Sequence, residues 1–318
     1  MPTDLLIDNL TNPALLLFLL GILAVQLKSD LNIPENSSKF ISIYLLFAIG
    51  FKGGHELAHS SIDMEVLATI LFALLAASLV PVLVFFVVRR RFTTANAAAV
   101  AAAYGSVSAV TFVTAITYLE RQEITFGGHM VAILAIMEVP AIVVGILLLR
   151  KYDREEVAIS FGKVLHHALT NGSVMLILGS LVVGYLANDA QAEEIKPFTT
   201  DIFKGFLAIF LLDMGIHSGK RLNAFFRRGA IATVYAVIIP LVNGCFTAWI
   251  SHFFVGGVGD RFMLAILAAS ASYIAVPAAM KMAAPKANPG IYLPMALAIT
   301  FPVNITLGMP LYFAIASM

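Results

Sequence analysis

Apolar residues run in long stretches along nearly the whole chain, separated by short polar segments. Ten such stretches stand out, at roughly 11–27, 39–55, 64–88, 95–118, 127–149, 168–187, 198–218, 229–254, 260–283 and 290–315. A helix needs about 20 apolar residues to cross a hydrocarbon core, so the pattern predicts ten membrane-spanning helices. The first has a short apolar core, Pro13 to Val25, and suits a thin or tilted span, or an interfacial helix. Two stretches break the pattern from within. Val100–Thr111 (VAAAYGSVSAVT) sets Gly105 between Tyr104 and Ser106, then adds Ser108 and Thr111. Ser270–Pro277 (SASYIAVP) combines two serines with Tyr273 and Pro277, and a proline tends to kink or break a helix because it lacks an N–H. Such clusters suit helices that stop and restart inside a bilayer. That is tolerated only where protein or a water-filled cavity satisfies the freed backbone, and it is a common way for transporters to build a binding site.

The pattern also repeats. Leu46–Gly54 (LFAIGFKGG) matches Leu211–Gly219 (LLDMGIHSG), with the first glycines at 50 and 215, an offset of 165 residues. At nearly the same offset, Ala102–Val110 faces Ala268–Val276, and Met137-Glu-Val-Pro140 faces Ile299-Thr-Phe-Pro302. Each half would hold five spans, and an odd number turns the second copy upside down. The expected fold is therefore an all-α polytopic membrane protein of ten transmembrane helices in two inverted five-helix repeats, with two broken helices that cross. The expected boundaries are 1–150 for the first repeat, 151–167 for a cytoplasmic linker and 168–318 for the second.

Composition agrees with a membrane protein. Of 318 residues, 60% are hydrophobic and 12% charged, and mean hydropathy is +0.91, whereas soluble domains average about 25% charged. A net charge of +1 gives no sign of nucleic acid as a partner. The single cysteine, Cys245, cannot form an internal disulfide. Asp4 and Asp8 stand where a cleavable signal peptide would carry a basic segment, so none is expected. With both termini outside the cytoplasm, Lys52, Arg121, Lys196, Lys204 and Arg261 fall on the outer side and the other fifteen of the twenty Lys and Arg residues on the inner side. That asymmetry matches the positive-inside rule and predicts a multi-pass protein of the inner (plasma) membrane.

The two breaks predict an ion site built from backbone. Half-helix N-termini favour an anion through free N–H groups and partial positive charge, half-helix C-termini favour a cation, and hydroxyls serve either. Two acids lie well inside the spans, Glu138 and Asp213. A carboxylate in hydrocarbon is costly and needs a cavity, a partner or a proton. Glu138 is expected in ion binding or coupling, with a structural hydrogen bond between helices as the alternative. Asn304 occupies the corresponding region of the last span. Asp213 can instead pair with His217 four residues on. Tyr104 and Tyr273 border the breaks, where an aromatic serves as plug, packing residue or ligand. His55 and His59 lie four apart beside Glu56, the spacing of a zinc site, but at a span's outer end, where a solvated interfacial face is the expectation. His166-His167 is expected to be a solvated pair.

With these motifs assembled, the chain resembles the sodium-dependent bicarbonate permease family over essentially all of its membrane portion. The resemblance rests on Gly50-Phe-Lys-Gly-Gly54, Gly105-Ser-Val-Ser108, Met137-Glu-Val-Pro140, Asp213-Met-Gly215, Ala268-Ala-Ser-Ala-Ser272 and Ala287-Asn-Pro289. It implies two inverted halves, a core moving against a gate, a homotrimer, and a PII-like regulator as a partner. It places bicarbonate near Gly105, Ser106, Val107, Ser108, Ser270, Ala271, Ser272 and Tyr273. Sodium or its coupling falls to Tyr104, Thr111, Glu138, Asp213 and Asn304. Tyr273 departs from the family's pattern, which has an aspartate in the second break. Ala271 and Ala275 stand where that pattern has hydroxyls, and the segment Tyr152–His167 is short where family members carry a long insertion.

The expected function is sodium-coupled uptake of a small anion, bicarbonate first, by alternating access, with sodium as coupling ion and no other cofactor. Alternatives are proton- or sodium-coupled transport of another small anion or short carboxylate, and a passive anion channel. An intramembrane enzyme is not expected, because Ser106 and Ser108 have no membrane-embedded histidine nearby in sequence to activate them.

Overall fold

The computed structural model describes residues 13–60, 63–153, 162, 166, 169–226 and 230–318; most of the linker expected at 151–167, including His167, lies outside them. Every regular element among the described residues is helical: α1 (Pro13–Gln26), α2 (Glu35–Ala58), α3 (Met64–Val88), α4 (Thr94–Gly105), α5 (Ala109–Arg121), α6 (His129–Tyr152), α7 (Gly172–Leu186), α8 (Asp189–Lys196), α9 (Phe203–Phe226), α10 (Ala230–Ile250), α11 (Val258–Ala269) and α12 (Ala275–Ala283). The last, α13 (Pro289–Ala316), contains wider π turns at Met295–Thr300 and Asn304–Gly308. Each of the ten apolar stretches is helical over most of its length. Among the described residues, six segments are long and apolar enough to cross a membrane: Met64–Val88, Thr94–Arg121, His129–Tyr152, Asp189–Arg221, Ala230–Phe253 and Pro289–Ala316. Leu15–Gln26 and Gly172–Leu186 are apolar but shorter.

Helix starts follow local chemistry. Asp63 caps α3 by accepting from the Val66 N–H at 2.9 Å, and Asn171 caps α7 through the Ser173 N–H at 3.0 Å. These side chains satisfy orphan first-turn donors. Along α3 the exposed residues Leu67, Leu71, Leu75, Leu79 and Leu83 recur every fourth position. In water such a stripe would be a liability; in a bilayer it is a lipid-facing surface. The contrast in burial is large: 28% of the most apolar window of Met64–Val88 is buried against 94% for Thr94–Arg121. The interrupted segment is thus enclosed by protein, as a polar interruption in a membrane must be. The alanine run of α4, Ala97 to Ala103, is fully buried, and small side chains there let α3 and α6 pack close on it.

The two Gly-x-x-x-Gly motifs do equivalent work. On α2, a Cβ at Gly54 would collide with the Leu181 carbonyl of α7 and would sit 2.9 Å from the Tyr185 nitrogen. On α9, a Cβ at Gly215 would meet the Phe18 carbonyl of α1 and lie 3.1 Å from the Gly21 Cα. α2 with α7, and α9 with α1, form the two most extensive helix contacts, which only glycine permits at this separation.

The obstacle at Gly54 is backbone and cannot swing aside. Gly54→Ala is therefore expected to destabilise by roughly 1–3 kcal/mol through overpacking. Gly179 on α7 has nothing within 4 Å of a built Cβ, and Gly179→Ala should be neutral or stabilising by up to ~1 kcal/mol. Thermal unfolding of the detergent-purified variants measures both.

Candidate functional site

The first break spans Ser106–Ser108. α4 stops at Gly105, where a Cβ would run into the Pro81 ring of α3. The chain then extends through Ser106 and Ser108 and restarts at Ala109, with Ser108 Oγ capping the Thr111 N–H at 3.2 Å. The second break spans Ser270–Ile274. α11 stops at Ala269, and α12 begins at Ala275 with Pro277 in its first turn, where a missing N–H costs nothing. Ser272 Oγ accepts the Val276 N–H at 3.4 Å.

The breaks are joined directly. The Ser108 N–H donates to Ser270 Oγ at 2.9 Å, and Ser270 Oγ donates onward to the Leu267 carbonyl at 2.9 Å. The Ser272 N–H donates to the Ala103 carbonyl, also at 2.9 Å. Asn304 Nδ2 donates to the Ala269 carbonyl at 2.8 Å, and its own oxygen accepts from the Tyr312 hydroxyl at 2.9 Å. Carbonyls at the C-terminal ends of α4 and α11 are thus engaged within the protein. At the N-terminal ends the balance differs: Ala109 and Val110 occupy the first turn of α5, whose N–H groups have no acceptor within the helix, and both line a cavity.

That cavity, about 40 Å³, holds the centres of about three water-sized groups. Its lining joins Val107, Ser108, Ala109 and Val110 of the first break with Ser272, Tyr273 and Ile274 of the second. Ser42 and Leu45 of α2, Ser173 and Ile177 of α7, and Phe210 of α9 close other sides. Glu138 of α6 also lines it, is 7% exposed, and has no hydrogen-bond or ion-pair partner among the described residues. A carboxyl in so apolar a place requires a cation or a proton. The Tyr273 hydroxyl lies near Ser108 outside hydrogen-bond geometry, and the buried hydroxyls of Tyr273 and Ser106 lack partners among the described residues. A wider vestibule of about 470 Å³ continues along the same helices. Ala48 and Ile49, Ile116, and Val131 line it one helical turn beyond Leu45 and Leu46, Val113, and Leu134 of the cavity. Lys52, Glu56, Asp201 and the Lys204–Glu120 ion pair at 2.9 Å bring charge to it.

Of the candidates named from sequence, Val107, Ser108, Ser272, Tyr273 and Glu138 line the cavity; Gly105, Ser106, Ser270 and Ala271 are buried behind it. Thr111 contributes its N–H to the α5 cap. The Tyr104 hydroxyl donates to Thr300 Oγ1 at 2.7 Å, since the Thr300 hydroxyl donates to the Ala236 carbonyl, an acceptor that Pro240 four residues on leaves free. Asn304 clamps the end of α11. Asp213 lies away from the cavity, accepting from the Ser38 hydroxyl and pairing with His217 Nδ1 at 3.3 Å. Ser42 and Ser173 were not picked out from sequence. Ser38 and Ser42, four apart on one face of α2, were the signal available for the first of these.

A model of the family described as the Na+-dependent bicarbonate transporter superfamily matches residues 13–317, and the chain belongs to that superfamily. No curated protein matches it. Membership and the apolar helices together make this a multi-pass membrane protein of a transporter family.

Ser270→Ala would leave the buried Ser108 N–H without an acceptor and should cost roughly 1–3 kcal/mol. Ser106→Ala removes a hydroxyl with no partner to lose and should leave thermal stability nearly unchanged. Unfolding midpoints of the two variants test the ordering.

Proposed function

We propose that this chain carries bicarbonate across the plasma membrane together with sodium, by alternating access. The observation that carries the proposal is the convergence of one half-helix N-terminus from each break and one unpaired carboxyl, Glu138, on a single cavity. The N–H groups of α5 and the Tyr273 hydroxyl offer donors to an anion. With the Ala103 and Ala269 carbonyls occupied inside the protein, the negative charge for sodium comes from Glu138, helped by hydroxyls of Ser42, Ser173 or Ser272. Anion and cation entering together cancel most of the cost of leaving water. Two unit charges 4 Å apart attract by about 4 kcal/mol at an effective dielectric of 20.

Ten spans in two inverted halves fit this reading. Each half's glycine motif grips the first helix of the other half, α2 on α7 and α9 on α1, as expected of two copies related by inversion. With both termini outside, Lys52 and Glu56 face the exterior and the vestibule is the outer approach to the cavity. The cluster of Ser38, Asp213 and His217 then lies toward the cytoplasm.

In proteoliposomes, labelled bicarbonate counterflow should rise steeply with an inward sodium gradient. Uptake indifferent to sodium, or absent for bicarbonate, overturns the assignment; flux driven by pH instead would favour the proton-coupled carrier. Glu138→Gln should fold, bind the anion and lose sodium dependence, with apparent sodium affinity at least about tenfold weaker, equivalent to about 1.4 kcal/mol.

A further inference from the structure

We propose that His55, His59 and Asp189 form a binding site for a first-row transition metal ion of the Zn²⁺ class at the rim of the vestibule. The segment His55-Glu-Leu-Ala-His59 ends α2 and sets two imidazoles one turn apart on one face, the spacing that helical zinc sites use. The third group, Asp189, comes from the first turn of α8, 130 positions beyond His59 in numbering.

Three observations point to a cation. First, both Nε2 atoms converge on one carboxylate oxygen: His55 Nε2 lies 3.4 Å and His59 Nε2 3.1 Å from Asp189 Oδ1. Ligand atoms around a tetrahedral zinc with bonds near 2.0–2.1 Å are about 3.3 Å apart, and all three atoms here lie within 4.8 Å of one another. Second, the tautomer of His59 is fixed. Its Nδ1 lies 2.9 Å from the His55 carbonyl, which can only accept, so Nδ1 carries a proton and Nε2 is the nitrogen turned toward Asp189. Orientation of a ligating histidine by its other nitrogen is the usual second-shell device of metal sites. Third, two ring nitrogens facing one carboxylate oxygen call for positive charge among the three atoms. A proton on one ring answers only one of the two contacts, and protons on both crowd two cations with centroids 4.8 Å apart. One divalent ion satisfies all three atoms and leaves a fourth position for water. In metallohydrolases the glutamate of this pattern acts as a general base; here Glu56 lines the vestibule with Lys52.

The ion would clip α8 to α2. α8 runs through Pro197–Asp201, whose Thr199, Thr200 and Asp201 line the vestibule, so the bound metal would stiffen the outer approach and slow transport. This consequence, unlike the site itself, rests on the transport reading.

Titration of chelator-stripped, detergent-purified protein with ZnCl₂ in a calorimeter should show one Zn²⁺ per chain. Affinity should fall more than about tenfold in His55→Ala/His59→Ala and in Asp189→Asn, beyond the lower end of losses from second-shell changes alone. The Asp189 side chain is 81% exposed, so Asp189→Asn should keep the wild-type melting temperature, whereas His55 is only 24% exposed and the double histidine variant serves as the binding control. No binding by the wild type, or unchanged affinity in both variants, overturns the site. In proteoliposomes Zn²⁺ should slow bicarbonate counterflow by the wild type and leave Asp189→Asn unaffected; binding without slowing overturns the clip and leaves the metal site standing.

Discussion

A backbone polar group in hydrocarbon must find a partner in the protein, because there is no water to supply one. Two helices of this chain stop and restart, and the rest of the structure follows from meeting that requirement. The segment Thr94–Arg121 is wrapped almost completely while Met64–Val88 is left largely to lipid, although both are apolar. The wrapping places side chains as well as bulk: Ser270 takes the Ser108 N–H, Asn304 takes the Ala269 carbonyl, and the Ser272 N–H takes the Ala103 carbonyl. The C-terminal ends of both broken helices, and the Ser108 N–H, are completed by residues distant in sequence, so the first break depends on the other half of the chain.

This accounting also decides what the cavity can hold. Four broken-helix ends could in principle offer two sets of donors and two of acceptors. The protein uses acceptors at the C-terminal ends for itself and leaves first-turn donors of α5 against the cavity. On the proposed function, a site so built favours an anion, and the counter-charge for a cation falls to a side chain. In the proposed function that side chain is Glu138, on a helix that packs against α4 and α3.

The breaks, the glycine motifs and the buried acids were legible in the sequence because each is a local departure from an apolar background. Gly105 and Pro277 announce where helices cannot continue, and Glu138 announces itself by its cost. Partner choice was not legible. Asn304 resembled a cavity ligand because it occupies the region matching Glu138, yet the π turns of α13 set its amide on the end of α11. Tyr104 borders a break, yet its hydroxyl is consumed by Thr300, whose acceptor Ala236 is free only because Pro240 lies four residues later on α10. Asp189 escaped notice because nothing local ties it to the histidines of α2. Such pairings depend on which helices become neighbours, information that periodicity does not carry.

The distribution of hydrogen bonds suggests where the molecule yields during the proposed transport cycle. The breaks are hydrogen-bonded to each other and to α13, while α2, α7 and α9 face them across the cavity through Leu45, Leu46, Ile177 and Phe210. Apolar contacts can slide and re-form with little directional penalty, whereas each buried hydrogen bond left unmade costs about 1–3 kcal/mol. Polar links between these two groups of helices lie away from the cavity. The Ser218 hydroxyl donates to the Leu297 carbonyl at 3.0 Å, and Lys204 meets Glu120 at the vestibule, 67% and 35% exposed, where an ion pair contributes little. The least costly motion therefore keeps the joined breaks, Glu138 and any bound ions as one unit and shifts them along the apolar seam. A carrier divided in this way moves its site between the two faces without undoing the hydrogen bonds that make the site.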